Sequence, residues 1–199
     1  MMPLPKVEMN VFETILARRS VRNYKVDKVD SGTIRNLLEA AIRAPTAMHQ
    51  EPCGFIIIQD KQLLKDLSDR AKPLILAEMH LNASKNISHS LGIFDQPDFN
   101  IFYNAETLII ICGKTEAPLF EADCWLAAEN LMLAACAMGL GSCVIGCSLS
   151  AFKSVEIKKQ LHIPVEFTAV APIVIGYPDE VAIPTSRKSP AIITSIKAN

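Results

Sequence analysis

The stretch ADCWLAAENLMLAACAMGLGSCVIG, residues 122–146, decides the fold of this chain. Residues 122–138 are helix-forming and apolar nearly all round, which is typical of a helix in a core or at a subunit interface. The helix is predicted to end at Gly139-Leu140-Gly141. With Gly146 this makes three glycines in eight residues, so the backbone can approach a flat, closely packed partner. The spacing is not a dinucleotide-binding fingerprint, because it follows a helix and not a strand.

The segments around this stretch predict an α+β fold. Asn10 and Glu13 form a capping-box pattern that opens a short helix, and Asp30 or Ser31 caps a second, amphipathic one that ends before Pro45. A surface helix is predicted over residues 61–70 and one amphipathic helix over residues 150–161. Three segments predict strands. Residues 54–59 and 107–112 are predicted to be buried strands, and residues 167–176 an edge or bulged strand because they contain Pro172. With no repeat and no linker, we expect one domain over residues 1–199.

Composition restricts the function classes. Half of the residues are hydrophobic and 21% are charged, and this apolar excess indicates an extensive subunit interface. The net charge is −1 and no basic run is present, so we expect neither a nucleic-acid nor a membrane partner. Residues 1–10 hold no long apolar core typical of a secretory signal, and Glu129 and Asn130 interrupt the longest apolar stretch. We expect a cytoplasmic protein.

Cysteine and histidine spacing favours no metal site. The six cysteines include no C-x-x-C pair and the four histidines are scattered. A zinc site or a redox pair is therefore less expected than buried, reduced thiols.

A basic cluster follows the first helix, at Arg18-Arg19-Ser20-Val21-Arg22. Three guanidiniums and a hydroxyl within five residues form a dense donor array for an anion, and arginine can bind phosphate in a bidentate way. A solvated basic surface is the alternative interpretation.

The loop over residues 44–52 lies between a predicted helix and a predicted strand. Pro45 and Pro52 bracket polar and small residues, and loops of this kind place backbone amides against ligands. The loop is equally well explained as a connector. His49 is a candidate base, although a polar contact is the more common role of a loop histidine.

Residues 80–104 lack regular periodicity and carry four aromatic residues: Phe94, Phe99, Phe102 and Tyr103. Aromatic residues on such a segment suit a lid over a pocket. Packing in an ordinary surface loop explains them equally well.

Taken in order, these segments resemble the nitroreductase family of flavoproteins. The family's R-R-S-x-R motif is matched at residues 18–22, its A-P-S-S-x-N-x-Q-P-W loop at residues 44–52, and its D-x-x-x-A-x-x-N-L-x-L-A-A helix from Asp123 to Ala135. Its G-L-G-x-x-x-x-G segment is matched at residues 139–146, and a terminal strand ends in Gly176-Tyr177-Pro178. No P-loop, nucleophile elbow or carboxylate pair is present, which favours a cofactor that carries the chemistry.

The resemblance implies an α+β homodimer with a central, mainly antiparallel sheet surrounded by helices and a C-terminal tail that reaches the partner subunit. Two FMN molecules would lie at the interface. The resemblance implies that Arg22 lies near the flavin pyrimidine edge, where its charge would tune the redox potential. It implies that the other contacts come from Arg18, Arg19, Ser20 and Arg187 at the phosphate and ribityl chain, from Pro45, Thr46, Ala47 and His49 of one subunit or the other, and from the backbone of Val144, Ile145 and Gly146 at the ring.

Several positions depart from the family motifs. His49 replaces asparagine, Glu51 replaces glutamine and Cys53 replaces tryptophan in the loop, and Ile145 stands where some members have glutamate. These changes affect the pocket wall, so they concern the substrate more than the cofactor.

The implied activity is ping-pong hydride transfer from NADH or NADPH through FMN to an electron-poor acceptor such as a nitroaromatic or a quinone. One shared pocket explains why no separate nicotinamide motif is visible. The alternatives are a flavin enzyme with one dedicated metabolic substrate and a non-catalytic FMN-binding module.

Overall fold

The computed structural model describes residues 9–81, 92–94, 96, 98–180, 183 and 185–196. Its helices and strands alternate irregularly along the chain, and they are α1 (Val11–Ala17), α2 (Ser31–Ala41), β1 (Cys53–Ile58), α3 (Lys61–Leu81), β2 (Thr107–Lys114), α4 (Phe120–Ala137), β3 (Gly141–Val144), α5 (Leu149–Phe152), α6 (Val155–Gln160) and β4 (Phe167–Gly176).

The four strands form one antiparallel sheet in the order β1-β2-β4-β3. Strand β2 is central and apolar from Leu108 to Cys112 because its alternating side chains enter two different cores. Leu108 and Ile110 pack with α3, α5 and α6, whereas Ile109 and Ile111 pack with α2 and α4. The α+β prediction, with an antiparallel sheet covered by helices, is confirmed.

The predicted helix starts are confirmed in detail. Asn10 caps α1 by accepting a hydrogen bond from the backbone N–H of Glu13 at 3.1 Å, and the Glu13 carboxylate accepts from the Asn10 N–H at 2.8 Å. Asp30 caps α2 by accepting from the Thr33 N–H at 2.9 Å. Each cap satisfies a backbone donor that the first helical turn leaves unpaired.

Two predicted helices differ in extent. Helix α3 runs past residue 70 to Leu81 and contains Pro73. The single helix predicted over residues 150–161 is wrong: α5 and α6 are separate helices, because Ser154 has an extended backbone and caps α6 with a hydrogen bond from the Ile157 N–H.

The strand predictions need three corrections. Residues 141–144, treated as a glycine loop, form the short strand β3 at one edge of the sheet. Strand β1 forms the other edge and is only partly buried. Strand β4 is central, so Pro172 does not mark an edge. The Pro172 carbonyl accepts from the Ile145 N–H, on the side where β3 ends. The N–H and the carbonyl of one strand residue point to the same side, so the N–H that proline lacks would also face that side. The predicted bulge lies nearby, since Val170 is skipped between the pairs Ile111–Ala171 and Cys112–Ala169.

The C-terminal residues 185–196 have no regular structure and are exposed. Three isoleucines of this tail, Ile192, Ile193 and Ile196, are 79%, 99% and 92% exposed. Apolar side chains with this degree of exposure indicate an interaction surface.

Candidate functional site

The basic cluster at residues 18–22 is fastened to β3 by its backbone. Ser20 and Ser142 form a parallel β-bridge, and the Val21 N–H donates to the Ser142 carbonyl at 3.0 Å. Gly141 permits this close approach, because a Cβ at that position would lie 2.8 Å from the Val21 side chain. Two segments about 120 residues apart in sequence thus form one structural unit.

Arg22 lies in an aromatic and thiol environment at this edge. Its guanidinium carbon is 5.8 Å from the centre of the Tyr103 ring, within range of a cation–π interaction. Burial alone would lower the pKa of Arg22, but Cys143, Tyr103 and Tyr24 outweigh burial and raise it. Burial raises the pKa of Tyr103 despite the opposing effect of Arg22. Arg22 therefore remains a fixed positive charge.

Arg18 and Arg19 flank the same bridge. The Arg18 Nε lies 3.8 Å from the carboxylate of Glu129 on α4. One terminal nitrogen of Arg19 donates to the carbonyls of Leu16 and Arg18, while its buried Nε has no hydrogen-bond partner among the described residues. A buried, unpaired guanidinium N–H is costly unless something accepts from it. The donor set is that of an anion site.

The backbone after β3 turns into a short 3-10 helix, Gly146–Ser148. The Ile145 N–H donates to the Pro172 carbonyl at 2.8 Å, and the Ser148 hydroxyl donates to the Ile145 carbonyl at 2.6 Å. A Cβ at Gly146 would meet no atom within 4 Å, so this backbone faces open space. The Ser150 hydroxyl nearby is buried and unpaired in the described part of the chain.

The loop over residues 44–52 is held differently. Its end is tied to β2, where the Lys114 N–H donates to the Pro52 carbonyl at 3.0 Å, and its middle is tied to one side chain of α4. The Ala47 N–H donates to both carboxylate oxygens of Asp123, at 3.1 and 3.2 Å. Met48, His49 and Glu51 all have positive φ angles, between 45° and 54°, a left-handed backbone that costs energy in residues other than glycine.

The loop and the β3 edge are far apart within one chain. The loop leads into Cys53 at the start of β1, which is separated from β3 by three inter-strand spacings of about 4.8 Å. Cys53 pairs with Gly113 of β2, which in turn pairs with Thr168 of β4. Val144 of β3 pairs with Ile173, which lies five residues further along β4. The two places are therefore roughly 20 Å apart.

The predicted site residues thus fall into three groups. Arg18, Arg19, Ser20 and Arg22 lie together with the backbone of residues 144–146. Pro45, Thr46, Ala47 and His49 lie at the opposite sheet edge, and Arg187 lies in the exposed tail. The sequence singled out Tyr103 only as an aromatic residue of a possible lid and Asp123 only as a motif position, and it assigned no role to Ser150. The contact of Asp123 with the loop could not be predicted because its half-buried partner, Ala47, is 76 residues away.

The aromatic segment is divided between two roles. Phe102 is 1% exposed and packs against Phe152 of α5, with ring centres 6.4 Å apart. Phe94, Phe99 and Tyr103 are half-buried and form a row of edge-to-face contacts, with centres 5.7 and 6.0 Å apart, that ends at Arg22. Phe102 therefore belongs to the core and not to a lid. Of the predicted segment 80–104, residues 82–91, 95 and 97 lie outside the described residues.

The described part of the chain holds no group of three histidine, cysteine or acidic side chains placed to bind a metal. No described helix combines the length and apolarity needed to cross a membrane.

Residues 15–177 match the model of the nitroreductase family. The chain belongs to the nitroreductase family. The resemblance seen in its motifs is confirmed, and with it the oxidoreductase class of the enzyme.

Related proteins agree with this membership. Protein DrgA of Synechocystis sp. is 31% identical over 202 residues, which cover 91% of this chain and 90% of that protein. Iodotyrosine deiodinase of Thermotoga neapolitana is 24% identical over 173 residues, covering 85% and 89%. The crystal structure of a Bacteroides fragilis nitroreductase with bound FMN superimposes with a TM-score of 0.78 and 27% identity, covering 96% of this chain and all of that one.

Proposed function

We propose that this nitroreductase is an FMN-dependent enzyme that uses NADH or NADPH to reduce an electron-poor acceptor. The observation that carries the proposal is the joining of the basic cluster to β3, which unites an anion site with an open backbone segment. FMN offers a phosphate for the first and a flat ring for the second. A similar structure holding FMN supports the same cofactor.

The chemistry of the donor set fits this cofactor. Arg18, Arg19 and Ser20 would bind the phosphate and ribityl chain, and the unpaired Nε of Arg19 needs an acceptor of this kind. Arg22 would place a charge beside the pyrimidine edge, and the backbone of Val144, Ile145 and Gly146 would face the ring. Arg187, exposed in this chain, would reach the phosphate from the tail. Bound FMN would supply hydride transfer between NAD(P)H and the acceptor, one after the other in a shared pocket.

The protein itself would position the flavin and the acceptor and give them an apolar surrounding. The fixed positive charge of Arg22 would stabilise negative charge that develops near it during reduction. The row of Phe94, Phe99 and Tyr103 gives an apolar wall beside Arg22, suited to stacking a planar acceptor.

We further infer that the functional unit is a homodimer. Pro45, Thr46, Ala47 and His49 lie roughly 20 Å from the β3 edge of their own chain, too far to share one flavin ring with it. The partner subunit would supply them. The exposed isoleucines of the tail support the same assembly, because a partner would cover them.

A second candidate is a flavin enzyme with one dedicated substrate, as the deiodinase relative illustrates. The replaced loop positions, His49, Glu51 and Cys53, favour a pocket that differs from the common family pattern. Steady-state NADH and NADPH oxidation with quinones, nitroaromatics and halogenated phenols distinguishes the two. Broad turnover of quinones and nitroaromatics supports the main proposal, whereas selective turnover of one class supports the second.

The FMN proposal is tested by Arg18→Ala. Loss of a charged hydrogen bond costs about 1.5–3 kcal/mol, so FMN affinity should fall roughly tenfold to a hundredfold. The visible absorption spectrum and a fluorescence titration with FMN measure this. Arg35→Ala, an exposed arginine of α2, is the control and should bind FMN like the wild type. Full FMN retention by Arg18→Ala would refute the phosphate assignment, and a protein that binds FMN but oxidises no NAD(P)H would be a binding module.

The shared site is tested with mixed dimers. One subunit carries Arg18→Ala and the other carries a loop in which residues 45–49 are replaced by glycines. If each flavin draws its arginine and its loop from different subunits, one of the two sites in the mixed dimer is intact and about half of the FMN is retained. If both come from one subunit, neither site is intact and FMN is lost as in the parent variants.

A further inference from the structure

Two cysteines meet where β1 begins beside α4. The Cys53 and Cys124 sulfurs are 3.7 Å apart, although the residues are 71 positions apart in sequence. Cys53 is half-buried, and Cys124 is fully buried in the first turns of α4. This is the one hydrogen bond between two sulfurs among the described residues.

The pair lies beside a cavity of about 250 Å³ between α2, the loop and α4. Cys53 and Asp123 line this cavity together with Thr46 and Glu51 of the loop. A small polar oxidant can therefore reach Cys53 from solvent. Cys124 lies behind Cys53, where it can be reached by that sulfur.

We propose that Cys53 and Cys124 are a modification site, forming a reversible disulfide when the protein meets a hydroperoxide. The sequence spacing predicted reduced thiols, and a redox pair was the less expected alternative. Only the packing of β1 against α4 brings these two residues together.

The reaction proceeds in two balanced steps. The Cys53 thiolate attacks a peroxide oxygen, the O–O bond breaks, and Cys53 becomes a sulfenic acid while the remaining oxygen leaves with a proton as water or an alcohol. The Cys124 sulfur then bonds to the Cys53 sulfur, and the hydroxyl of the sulfenic acid leaves with the Cys124 proton as water. The two thiols lose two electrons in total, and the hydroperoxide gains them.

The environment assigns the two roles. The hydrogen bond between the two sulfurs lowers the pKa of Cys53, which favours its thiolate, the nucleophilic form. The same contact, with burial, raises the pKa of Cys124. The sulfurs must approach from 3.7 Å to about 2.05 Å for the disulfide to form.

The disulfide would tie the start of β1 directly to the first turns of α4. At present the loop over residues 44–52 is tied to α4 through Asp123 and Ala47. Cys124 is adjacent to Asp123 and Cys53 directly follows the loop, so the disulfide would add a covalent tie at the C-terminal end of the loop. The thiol chemistry itself needs neither FMN nor NAD(P)H, so its test is independent of the proposed function.

The experiment exposes the purified full-length protein, with its cofactor as isolated, to hydrogen peroxide. Free thiols are then blocked with N-ethylmaleimide, and peptides are mapped by mass spectrometry without reduction. We expect a Cys53–Cys124 linked peptide, a loss of two blockable thiols, and recovery of both with dithiothreitol. Cys53→Ser and Cys124→Ala should each abolish the link, whereas Cys147→Ser, which alters an exposed cysteine, should retain it.

Three outcomes would overturn the proposal. The first is oxidation of Cys53 to sulfinic acid without any link to Cys124. The second is linkage of Cys53 to another cysteine or to a second chain. The third is a Cys53–Cys124 link that dithiothreitol does not reverse. Because Cys53 is only half-buried, Cys53→Ser keeps the test decisive even if Cys124→Ala fails to fold.

Discussion

The two edges of the sheet hold their functional segments in different ways. At the β3 edge, the basic cluster is joined by backbone pairing between Ser20 and Ser142 and by the close contact of Val21 with Gly141. At the β1 edge, the loop over residues 44–52 is hydrogen-bonded to the carboxylate of Asp123 and contains three residues with positive φ. One edge is joined by backbone pairing, whereas at the other edge the middle of the loop is tied to α4 by a single carboxylate.

This difference matches most of the positions where the chain departs from the family motifs; Ile145, which follows β3, is the exception. The motif at residues 18–22 is retained, whereas His49, Glu51 and Cys53 replace the residues common in the family loop. Backbone pairing leaves little room for change, because each partner must keep its register. A loop whose middle is held by one side chain tolerates new residues more readily, and pocket specificity can vary there.

The largest effect is expected under the β3 edge, at Phe102. Phe102→Ala removes a fully buried ring that packs on Phe152 and should lower the free energy of unfolding by about 3–5 kcal/mol. Phe99→Ala, at a half-buried ring near Arg22, should cost much less and instead change the ratio of kcat/KM between a quinone and a nitroaromatic. Urea unfolding and steady-state kinetics measure the two effects. Equal stability losses in both variants would show that the aromatic row is not divided between core and pocket.

The second effect concerns the close contact between Gly141 of β3 and Val21 of the basic cluster. Gly141→Ala places a Cβ 2.8 Å from the Val21 side chain, and such overpacking costs about 1–3 kcal/mol. Because the basic cluster would be pushed away from β3, FMN binding should weaken as well. Gly146→Ala is the matched control, since its Cβ would meet nothing within 4 Å, and its unfolding free energy should stay near that of the wild type. A Gly141→Ala protein with unchanged stability and FMN affinity would contradict the importance of this close contact.

The smallest effect is expected at the β1 edge. Asp123→Asn replaces the charged acceptor of the Ala47 N–H by a neutral one and should cost about 1 kcal/mol. Hydrogen exchange at Ala47 and its neighbours should become faster, while exchange in β3 stays the same. Glu121→Gln removes an exposed charge from the same turn of α4 and controls for the helix dipole. Faster exchange spreading into β3 would mean that the two edges are not independent.

Part of the fold could be predicted from the sequence because the signals for it are local. The cap residues Asn10 and Asp30 act on backbone groups two or three positions away, so a short pattern is enough to identify them. Strand β3 was missed because it is four residues long and rich in glycine and small side chains, and its pairing with β4 is set by residues about 30 positions later. The break between α5 and α6 was missed because Ser154 is compatible with a helix until its capping geometry is seen.

The sequence by itself determined the family, the α+β class, the helix caps and the basic cluster, because each of these depends on spacing within a short window or on motifs in order. Only the tertiary structure decided which of those segments meet. It joined Ser20 to Ser142, set Asp123 beneath the loop, brought Cys53 to Cys124, and separated the loop from the β3 edge. The physical reason is that strand order and helix packing, which no local pattern encodes, determine the contacts between residues far apart in the chain.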